Sequence, residues 1–263
     1  MTAAGPIRRW LSSARKAARS RRVVTVHDGP AAGLRIGLRH ASADYGRETN
    51  ELPVQMAFQD HVRAGHTVYD VGSNVGFFAL LAARLVGEQG AVHAFEAVPA
   101  CSSALQQNVR RNGFTNVAVH ALAVSDRIGD VELMQGHHPG GATISAPDRP
   151  RDYRASLIVP SVTIDGMVAG GIEPPDFVKI DVEGAEVEVL RGMAATIERH
   201  GPVVLCELDD PTDAGIDAKV GRVSALLEGY GYEVRTLDRS YESSRSRVVH
   251  LLATRGGAAA DPD

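Results

Sequence analysis

The sequence predicts an α/β protein in which a mostly parallel sheet of about seven strands carries helices on both faces. Short runs rich in β-branched residues alternate with longer segments of helical periodicity, which is the pattern of βαβ units. A glycine-containing turn joins one such run to an apolar helical segment. The 263 residues, 44% hydrophobic and 23% charged, suit one large globular domain.

Seven runs have the composition of strands of this sheet, and we expect the last to be antiparallel. They lie at residues 66–71, 91–95, 117–120, 176–181, 202–208, 232–237 and 247–253. Helical patterns fill most of the gaps between them. In one, Cys101, Ala104, Leu105 and Val109 fall on the same face. In another, the shared face holds Val187, Leu190, Ala194 and Ile197.

Two further segments decorate the predicted sheet. Residues 23–65 form an N-terminal decoration, with a hairpin from runs 23–27 and 34–38 and a helix over roughly 51–63. The main domain covers residues 66–255, and within it 130–164 reads as strand, loop and strand. A loop of about 20 residues is unusual inside a compact domain unless it has a function. We therefore expect residues 136–160 to act as a substrate lid.

The two ends of the chain lack the pattern of a folded segment. Residues 1–22 carry seven basic side chains and no acidic one, so the net charge of −4 leaves −11 for the rest. We expect a flexible, solvated basic arm, with contact to a membrane surface as the alternative. Residues 256–263 are expected to be a flexible tail. The acidic body argues against nucleic acid as a partner.

Segments that direct a chain to or across a membrane are not evident. The longest nearly apolar run, residues 75–83, is much shorter than the roughly 20 residues of a membrane span. The basic arm lacks the apolar stretch of a signal peptide, so we expect a cytoplasmic protein. Cys101 and Cys206 have no paired spacing, which excludes a disulfide framework and a zinc site.

The turn after the strand at 66–71 is the most informative part of the sequence. Ser73 or Asn74 is expected to cap an apolar helix that begins near residue 75. Gly72 and Gly76 would allow close backbone approach to a ligand at the carboxyl end of a strand. Glu96 stands 24 residues after Gly72, where an acidic residue accepts hydrogen bonds from ribose hydroxyls.

The ligand expected at this turn is cationic. The spacing is G-x-x-x-G, and the G-x-G-x-x-G phosphate cradle of dinucleotide-binding proteins is missing. Asp70 immediately precedes the turn, where its charge would repel a pyrophosphate. A carboxylate there suits the amino and sulfonium groups of S-adenosylmethionine, and it disfavours a nicotinamide-dependent oxidoreductase.

Longer motifs resemble the FkbM family of class I S-adenosylmethionine-dependent methyltransferases, over roughly residues 45–253. The quoted stretches are 70–77 (DVGSNVGF), 95–99 (FEAVP), Asn108 with 112–113 (NG), 121–126 (ALAVSD), 162–165 (VTID) and 179–192 (KIDVEGAEVEVLRG). The resemblance implies a Rossmann-like class I methyltransferase fold. It also implies O-methylation of a hydroxyl on a sugar, glycolipid or polyketide-type natural product.

The resemblance further implies ten cofactor-binding residues: Asp70, Gly72, Ser73, Asn74, Gly76, Phe77, Glu96, Ala97, Ser125 and Asp126. Those of the turn would hold the methionine end of S-adenosylmethionine, with Phe77 packed beneath it. Glu96 would bind the ribose, and Ala97 would lie beside the adenine. Ser125 and Asp126 would lie near the adenine edge. Core packing of Phe77 and turn capping by Ser125 are the structural alternatives.

Acidic residues follow two of the predicted strands and are the catalytic candidates. Asp181 and Glu183 end one strand, and Glu207 and Asp209 end the next. In one scheme Asp181, Glu207 or His138 of the lid accepts the hydroxyl proton. In the other, Asp181, Glu207 and Asp209 hold Mg²⁺, which acidifies the hydroxyl. We favour the scheme without metal, with Asp181 first, and Glu183 has helix initiation as its alternative role.

Other acceptors and a non-catalytic role remain as alternatives. A methyltransferase acting on nitrogen or a nucleobase would show an Asn/Asp-Pro-Pro-Tyr/Phe box after the fourth strand, where residues 181–184 read DVEG. The acidic body disfavours RNA as acceptor. A non-catalytic binding protein would be expected to lose Asp70, Gly72 and Glu96, which are all present.

Overall fold

A computed structural model describes residues 22–38, 51–136, 142–144, 153–240 and 247–256. The strands are β1 (Val23–Thr25), β2 (Arg35–Gly37), β3 (Thr67–Val71), β4 (Ala91–Phe95), β5 (Val117–His120), β6 (Ala123–Val124), β7 (Gly129–Gln135), β8 (Ala142–Thr143), β9 (Ala155–Val162), β10 (Phe177–Ile180), β11 (Val203–Asp210), β12 (Tyr232–Thr236) and β13 (Arg247–Arg255). The helices are α1 (Leu52–His61), α2 (Phe77–Val86), α3 (Pro99–Asn112), α4 (Ile164–Ala169), α5 (Glu186–Arg191), α6 (Ala194–His200) and α7 (Asp213–Gly229).

The central sheet has seven strands in the order β12-β13-β11-β10-β3-β4-β5. The pairs among β11, β10, β3, β4 and β5 are parallel, and β13 is antiparallel to both of its neighbours. One apolar cluster packs α1, α2 and α3 against the sheet, and a second packs α5, α6 and α7. All five residues of β3 are buried, as expected for a strand covered on both faces. The predicted fold class is therefore confirmed.

The turn after β3 differs from the predicted helix start. Helix α2 begins at Phe77, with Gly76 in the left-handed region at its N-cap and no side-chain cap. The expectation that Ser73 or Asn74 caps this helix is therefore wrong. The Ser73 hydroxyl instead donates to the Asp70 carbonyl at 2.7 Å, and Asn74 itself adopts a left-handed φ of 50°.

The predicted apolar face over residues 187–197 is divided between two helices. Between α5 and α6, Gly192 packs so close to the Ser125 carbonyl oxygen that a Cβ there would lie 2.0 Å from it. Helix α6 has no cap from its own N-cap residue. The side chain of Asp165 in α4 provides the cap instead, because it accepts from the backbone N–H groups of Ala195 and Thr196 at 3.0 and 2.8 Å.

The N-terminal hairpin β1–β2 is docked on α3 by two asparagine side chains. Asn108 Oδ1 accepts from Gly37 N–H at 2.9 Å, and Asn112 Oδ1 accepts from Arg35 N–H at 2.8 Å. The Asn108 side-chain amide also donates to the Val75 carbonyl at 2.8 Å. One side chain thus joins the decoration to the turn that follows β3.

The interval between β5 and α4 forms a second sheet, in the order β6-β9-β7-β8. The two strands predicted here correspond to β7 and β9, and the sheet contains two further short strands, β6 and β8. Most of the expected lid lies outside the described residues, including His138, as do residues 1–21 of the arm and 257–263 of the tail. Within the described ranges, none of the helices has the length and apolar character needed to cross a bilayer.

Candidate active site

A cavity of about 220 Å³ lies at the carboxyl ends of β3, β4 and β10. This edge is where open α/β sheets bind their ligands. Its walls comprise Glu51, Val71, Gly72, Asn74, Phe95, Glu96, Ala97, Val98, Leu122, Ala123, Val124, Leu133, Ala142, Ile144, Asp181, Val182, Glu183 and Glu207. These described wall residues include five carboxylates and no basic side chain, so the cavity favours cationic or hydrogen-bond-donating ligands.

Glu96 is fixed in the wall by the backbone of two loops. Its Oε2 accepts from Asn74 N–H and its Oε1 accepts from Val98 N–H, both at 2.7 Å. Burial raises the pKa of Glu96 to about 7, although these two hydrogen bonds oppose the rise. Because each carboxylate oxygen can accept more than one hydrogen bond, Glu96 retains capacity for ligand hydroxyls.

The part of the cavity beyond Glu96 is apolar. It is formed by residues that follow β4 and β5 and by the small second sheet: Ala97, Val98, Leu122, Ala123, Val124, Leu133, Ala142 and Ile144. These apolar residues suit a flat apolar group, while Glu96 in the same wall suits a diol. These are the properties of the adenine and ribose of a nucleoside.

Asp70 lies directly behind the cavity wall, next to Val71 and Gly72. The residue is 1% exposed, and within the described ranges neither of its carboxylate oxygens has a hydrogen-bond partner. Burial raises the pKa of Asp70, and the nearby Lys179 ammonium opposes that rise. An unsatisfied buried carboxylate fits a cationic group bound in front of it. The residues present therefore fit S-adenosylmethionine.

The two glycines of the turn are required by the protein's own packing. Gly72 has a φ of +83°, and a Cβ there would lie 1.7 Å from the Asp181 carbonyl oxygen. Gly76 has a φ of +93°, and its Cβ would lie 2.2 Å from Leu105 Cδ1. Only Gly72 is in the cavity wall, so the ligand approach expected at Gly76 is replaced by contact with α3.

Four other expected cofactor residues lie away from the wall. Ser73 is buried beneath the turn, and Phe77 is 2% exposed in the core against Phe78. Ser125 is fully buried, with its hydroxyl 2.7 Å from that of Ser161. Asp126 pairs with Arg127 at 3.2 Å. For Phe77 and Ser125 the structural alternative therefore agrees better with their surroundings.

The opposite end of the cavity is acidic. Asp181 follows β10 and accepts from the buried Lys179 Nζ at 2.8 Å. Burial opposes the charge on Lys179, yet the surrounding carboxylates, Asp181 first, raise its pKa. Lys179 is thus a permanently protonated group behind this end of the cavity.

Glu183 lies beside Asp181 in the wall, but neither in the strand nor in the following helix. It occupies a left-handed turn with a φ of 55°, and α5 begins only at Glu186. Burial, followed by the charge of Asp181, raises the pKa of Glu183 well above its ordinary value. The alternative that Glu183 opens the helix is therefore not the observed arrangement.

Glu207 is held by a residue that lies opposite it in the sheet. Its Oε2 lies 3.0 Å from His250 Nε2, and the two residues are register partners in the β11–β13 pair. The same His250 nitrogen lies 3.9 Å from Glu51 Oε2. Burial, and then the charge of Asp181, raises the pKa of Glu207.

The magnesium set expected from the sequence is not assembled. In the described residues, the acidic and imidazole groups whose ligand atoms lie within 4.8 Å of one another are Glu51, Glu207 and His250. Asp181 instead pairs with Lys179, and Asp209 is not in the cavity wall. The Lys179 ammonium acts on Glu207 and Glu51 and disfavours a second cation beside them. We therefore interpret Glu207 and His250 as a hydrogen-bonded pair.

The contacts that Glu51 and His250 make at the cavity were not predicted from the sequence. Glu51 reaches the cavity because it precedes α1 in a left-handed conformation, with a φ of 49°. His250 reaches Glu207 only through the register of two strands 43 residues apart. Alternation along β13 shows which residues share a face, but not which residue of β11 they oppose.

Comparisons with known proteins agree with the site. Residues 70–234 match the family described as "Methyltransferase FkbM domain". The sequence is 32% identical over 204 residues to "31-O-demethyl-FK506 methyltransferase FkbM" of Streptomyces tacrolimicus, covering 66% of this chain and 75% of that protein. It is 28% identical over 153 residues to "Hexuronic acid methyltransferase AglP" of Haloferax volcanii, covering 58% of each.

The fold also has a counterpart among solved structures. A crystal structure of "Methyltransferase FkbM" from Methylobacillus flagellatus aligns with a TM-score of 0.50 at 15% identity. The alignment covers 75% of this chain and 50% of that one. The domain match covers more than half of the chain and includes the turn after β3, Glu96 and the 179–192 motif. The chain belongs to the FkbM family of S-adenosylmethionine-dependent methyltransferases.

Proposed function

We propose that this protein is an O-methyltransferase for a hydroxyl of a sugar, glycolipid or polyketide-type natural product. One observation carries the proposal: the wall of one cavity combines apolar residues and Glu96 with acidic residues that include Asp181 and Glu207. The first part suits a nucleoside. The second offers proton acceptors to a hydroxyl, which is a poor nucleophile until its proton leaves.

For the cofactor, Glu96 would accept from the ribose hydroxyls, and Ala97 with the other apolar residues of the wall would contact the adenine. Gly72 and Asn74 would border the methionine end, with the buried charge of Asp70 behind them. S-adenosylmethionine would supply a methyl group already activated on a cationic sulfur. The chain's task is to hold the acceptor oxygen in line with it, a positioning effect worth up to roughly 7–11 kcal/mol.

For the proton, Asp181 and Glu207 are the candidates among the described residues. We propose that a side chain accepts it without a metal ion, with His138 and a Mg²⁺ ion as the alternatives from the sequence. The names of the relatives support an oxygen acceptor. One places the methyl group on an oxygen of FK506, and the other names a hexuronic acid as substrate.

The test is transfer of labelled methyl groups from S-adenosylmethionine to a matched panel of acceptors. The panel would contain methyl glycosides, a glycolipid and a macrolide polyketide, each beside an analogue with an amine in place of the hydroxyl. We expect O-methyl products, located by NMR, at rates unaffected by added Mg²⁺ or EDTA. Asp181→Asn and Glu207→Gln should retain cofactor binding, and at least one should lower turnover about 100-fold or more. Transfer restricted to the amines, or no binding of S-adenosylmethionine, would overturn the proposal.

A further inference from the structure

The contact between His250 and Glu207 is more than a surface ion pair. His250 is 2% exposed, and the side chain of Glu207 is 16% exposed, in the wall of the cavity. The 3.0 Å distance joins His250 Nε2 to Glu207 Oε2. The other carboxylate oxygen, Oε1, has no hydrogen-bond partner among the described residues. One oxygen of Glu207 is therefore fixed, and the other is available to a ligand.

The surroundings of His250 decide its protonation. Burial lowers the pKa of His250, and the charge of Lys179 lowers it further, while Glu51 and Asp181 act in the opposite direction. The lowered pKa favours the neutral imidazole at physiological pH. Its Nδ1 lies 3.4 Å from the Ser240 hydroxyl, which can donate to it. Nε2 then carries the hydrogen and donates to Glu207.

Asp181 is less suited than Glu207 to accept a proton. Protonating Asp181 would break its ion pair with the buried Lys179 ammonium, leaving that charge without its closest partner. Protonating Glu207 leaves a neutral imidazole beside it. Other charges that face Glu207 are the carboxylates of Asp181 and Asp209, which favour the proton, and Lys179, which opposes it.

We propose that Glu207 is the general base of the methyl transfer and that His250 is the positioning residue that holds it. In this step the acceptor O–H bond breaks and its proton passes to Glu207 Oε1. The electron pair left on the oxygen would form the new bond to the methyl carbon of bound S-adenosylmethionine. The bond between that carbon and sulfur would break at the same time, and its electron pair would stay on the sulfur of the S-adenosylhomocysteine that leaves. The Nε2–H bond of His250 remains intact. The inference rests on the proposed function, which supplies the hydroxyl acceptor.

Three variants separate positioning from structural support. His250→Leu removes the donor, His250→Gln retains an amide N–H, and Glu207→Gln removes the base. His93→Gln is the matched control, because His93 is a partly buried strand histidine that contacts His120 at 3.1 Å and is not in the cavity wall. Melting temperature and calorimetric affinity for S-adenosylmethionine would be measured for all four.

With the most active acceptor of the panel, we expect His250→Leu to lower kcat about 100-fold while KM changes less than threefold. His250→Gln should recover at least a tenth of wild-type kcat, and His93→Gln should match wild type. The pKa seen in the kcat–pH profile should rise in His250→Leu, since a donor to the carboxylate is lost. Equal loss in the Leu and Gln variants, or an unchanged profile, would overturn the proposal.

A second measurement does not depend on any acceptor. Carboxyl titration by ¹³C NMR, with Glu207→Gln used to assign the signal, should give a higher pKa for Glu207 in His250→Leu than in wild type. No difference would overturn the role of His250 even if methyl transfer is observed. If no acceptor is methylated, the proposed function fails, but this titration still tests whether His250 donates a hydrogen bond to Glu207. Activity that requires Mn²⁺ and is lost in EDTA would instead make His250 a metal ligand and overturn the proposal.

Discussion

Glu96 is the residue on which the nucleoside end of the site depends. It accepts two backbone N–H groups, so it orders the turn at Asn74 and the chain at Val98 before any ligand arrives. Its burial raises its pKa to about 7, which indicates that an added hydrogen-bond donor would stabilise its charge. The same carboxylate thus has a structural role in addition to the binding role proposed for it, and an experiment must separate them.

We expect Glu96→Gln to weaken S-adenosylhomocysteine binding at least tenfold, because the amide loses the charge and one acceptor oxygen. The 2′-deoxyribose analogue should bind more weakly than S-adenosylhomocysteine to wild type, but nearly equally to the variant. Calorimetry of both ligands with both proteins measures this coupling. Asp126→Asn is the control, since Asp126 is outside the cavity wall and should bind both as wild type does. If the 2′-deoxyribose analogue lost the same factor in affinity with wild type and with Glu96→Gln, that result would contradict contact between Glu96 and the ribose.

Among the helices, α6 follows directly after the 179–192 motif and is stabilised by a carboxylate remote in sequence. It begins after Met193 without a cap of its own, and Asp165 accepts from Ala195 N–H, Thr196 N–H and the Thr196 hydroxyl. Asp165 belongs to the 162–165 motif, and its own N–H donates to the carbonyl of Gly192, the last residue of the 179–192 motif, at 2.9 Å. This contact fixes the break after α5, the helix that follows the acidic turn.

Asp165→Ala should lower the free energy of unfolding by about 1–3 kcal/mol, because three donors at the start of α6 lose a charged acceptor. Asp165→Asn keeps one acceptor oxygen, so its free energy of unfolding should fall by less than that of Asp165→Ala. Urea unfolding followed by circular dichroism measures both. The exposed Asp217 of α7 provides the comparison. The change Asp217→Ala should alter the free energy of unfolding by no more than about 0.5 kcal/mol. Similar losses at positions 165 and 217 would refute the capping role.

For the whole molecule, the acidic site carries a cost in stability. Burial raises the pKa of five carboxyl groups in or next to the cavity: Asp70, Glu96, Glu183, Glu186 and Glu207. The folded protein therefore holds protons that the unfolded chain has released above its ordinary carboxyl pKa. Histidines whose pKa is lowered act in the opposite direction only below about pH 6.5, where the unfolded chain binds the extra proton.

The free energy of unfolding of the ligand-free protein should accordingly fall between pH 7 and pH 8.5. In this interval the carboxyl groups of the folded state lose protons, whereas those of the unfolded chain are already ionised. One proton of difference gives about 1.4 kcal/mol per pH unit. Urea midpoints across the interval measure the slope. Glu183→Gln cannot ionise, so the slope should flatten in that variant. Stability that is constant or rises over this range would show that the carboxyl groups do not retain protons when folded.

The sequence by itself determined the fold class, the seven strands and the family, because alternating β-rich and helical runs and contiguous motifs are local properties of the chain. It also identified Glu96, Asp181, Glu183 and Glu207, which lie in the wall of one cavity. Those residues follow or end strands, and parallel strands bring their carboxyl ends to one edge.

Only the tertiary structure decided which of these side chains have partners. Lys179 pairs with Asp181, and His250 contacts Glu207 through a strand register that no local pattern encodes. The glycines of the turn, expected to admit a ligand, are required by contacts with Asp181 and Leu105, distant in sequence. A motif fixes which residue types follow a strand, whereas packing between remote segments fixes what each one touches, and that contact sets its charge and its chemistry.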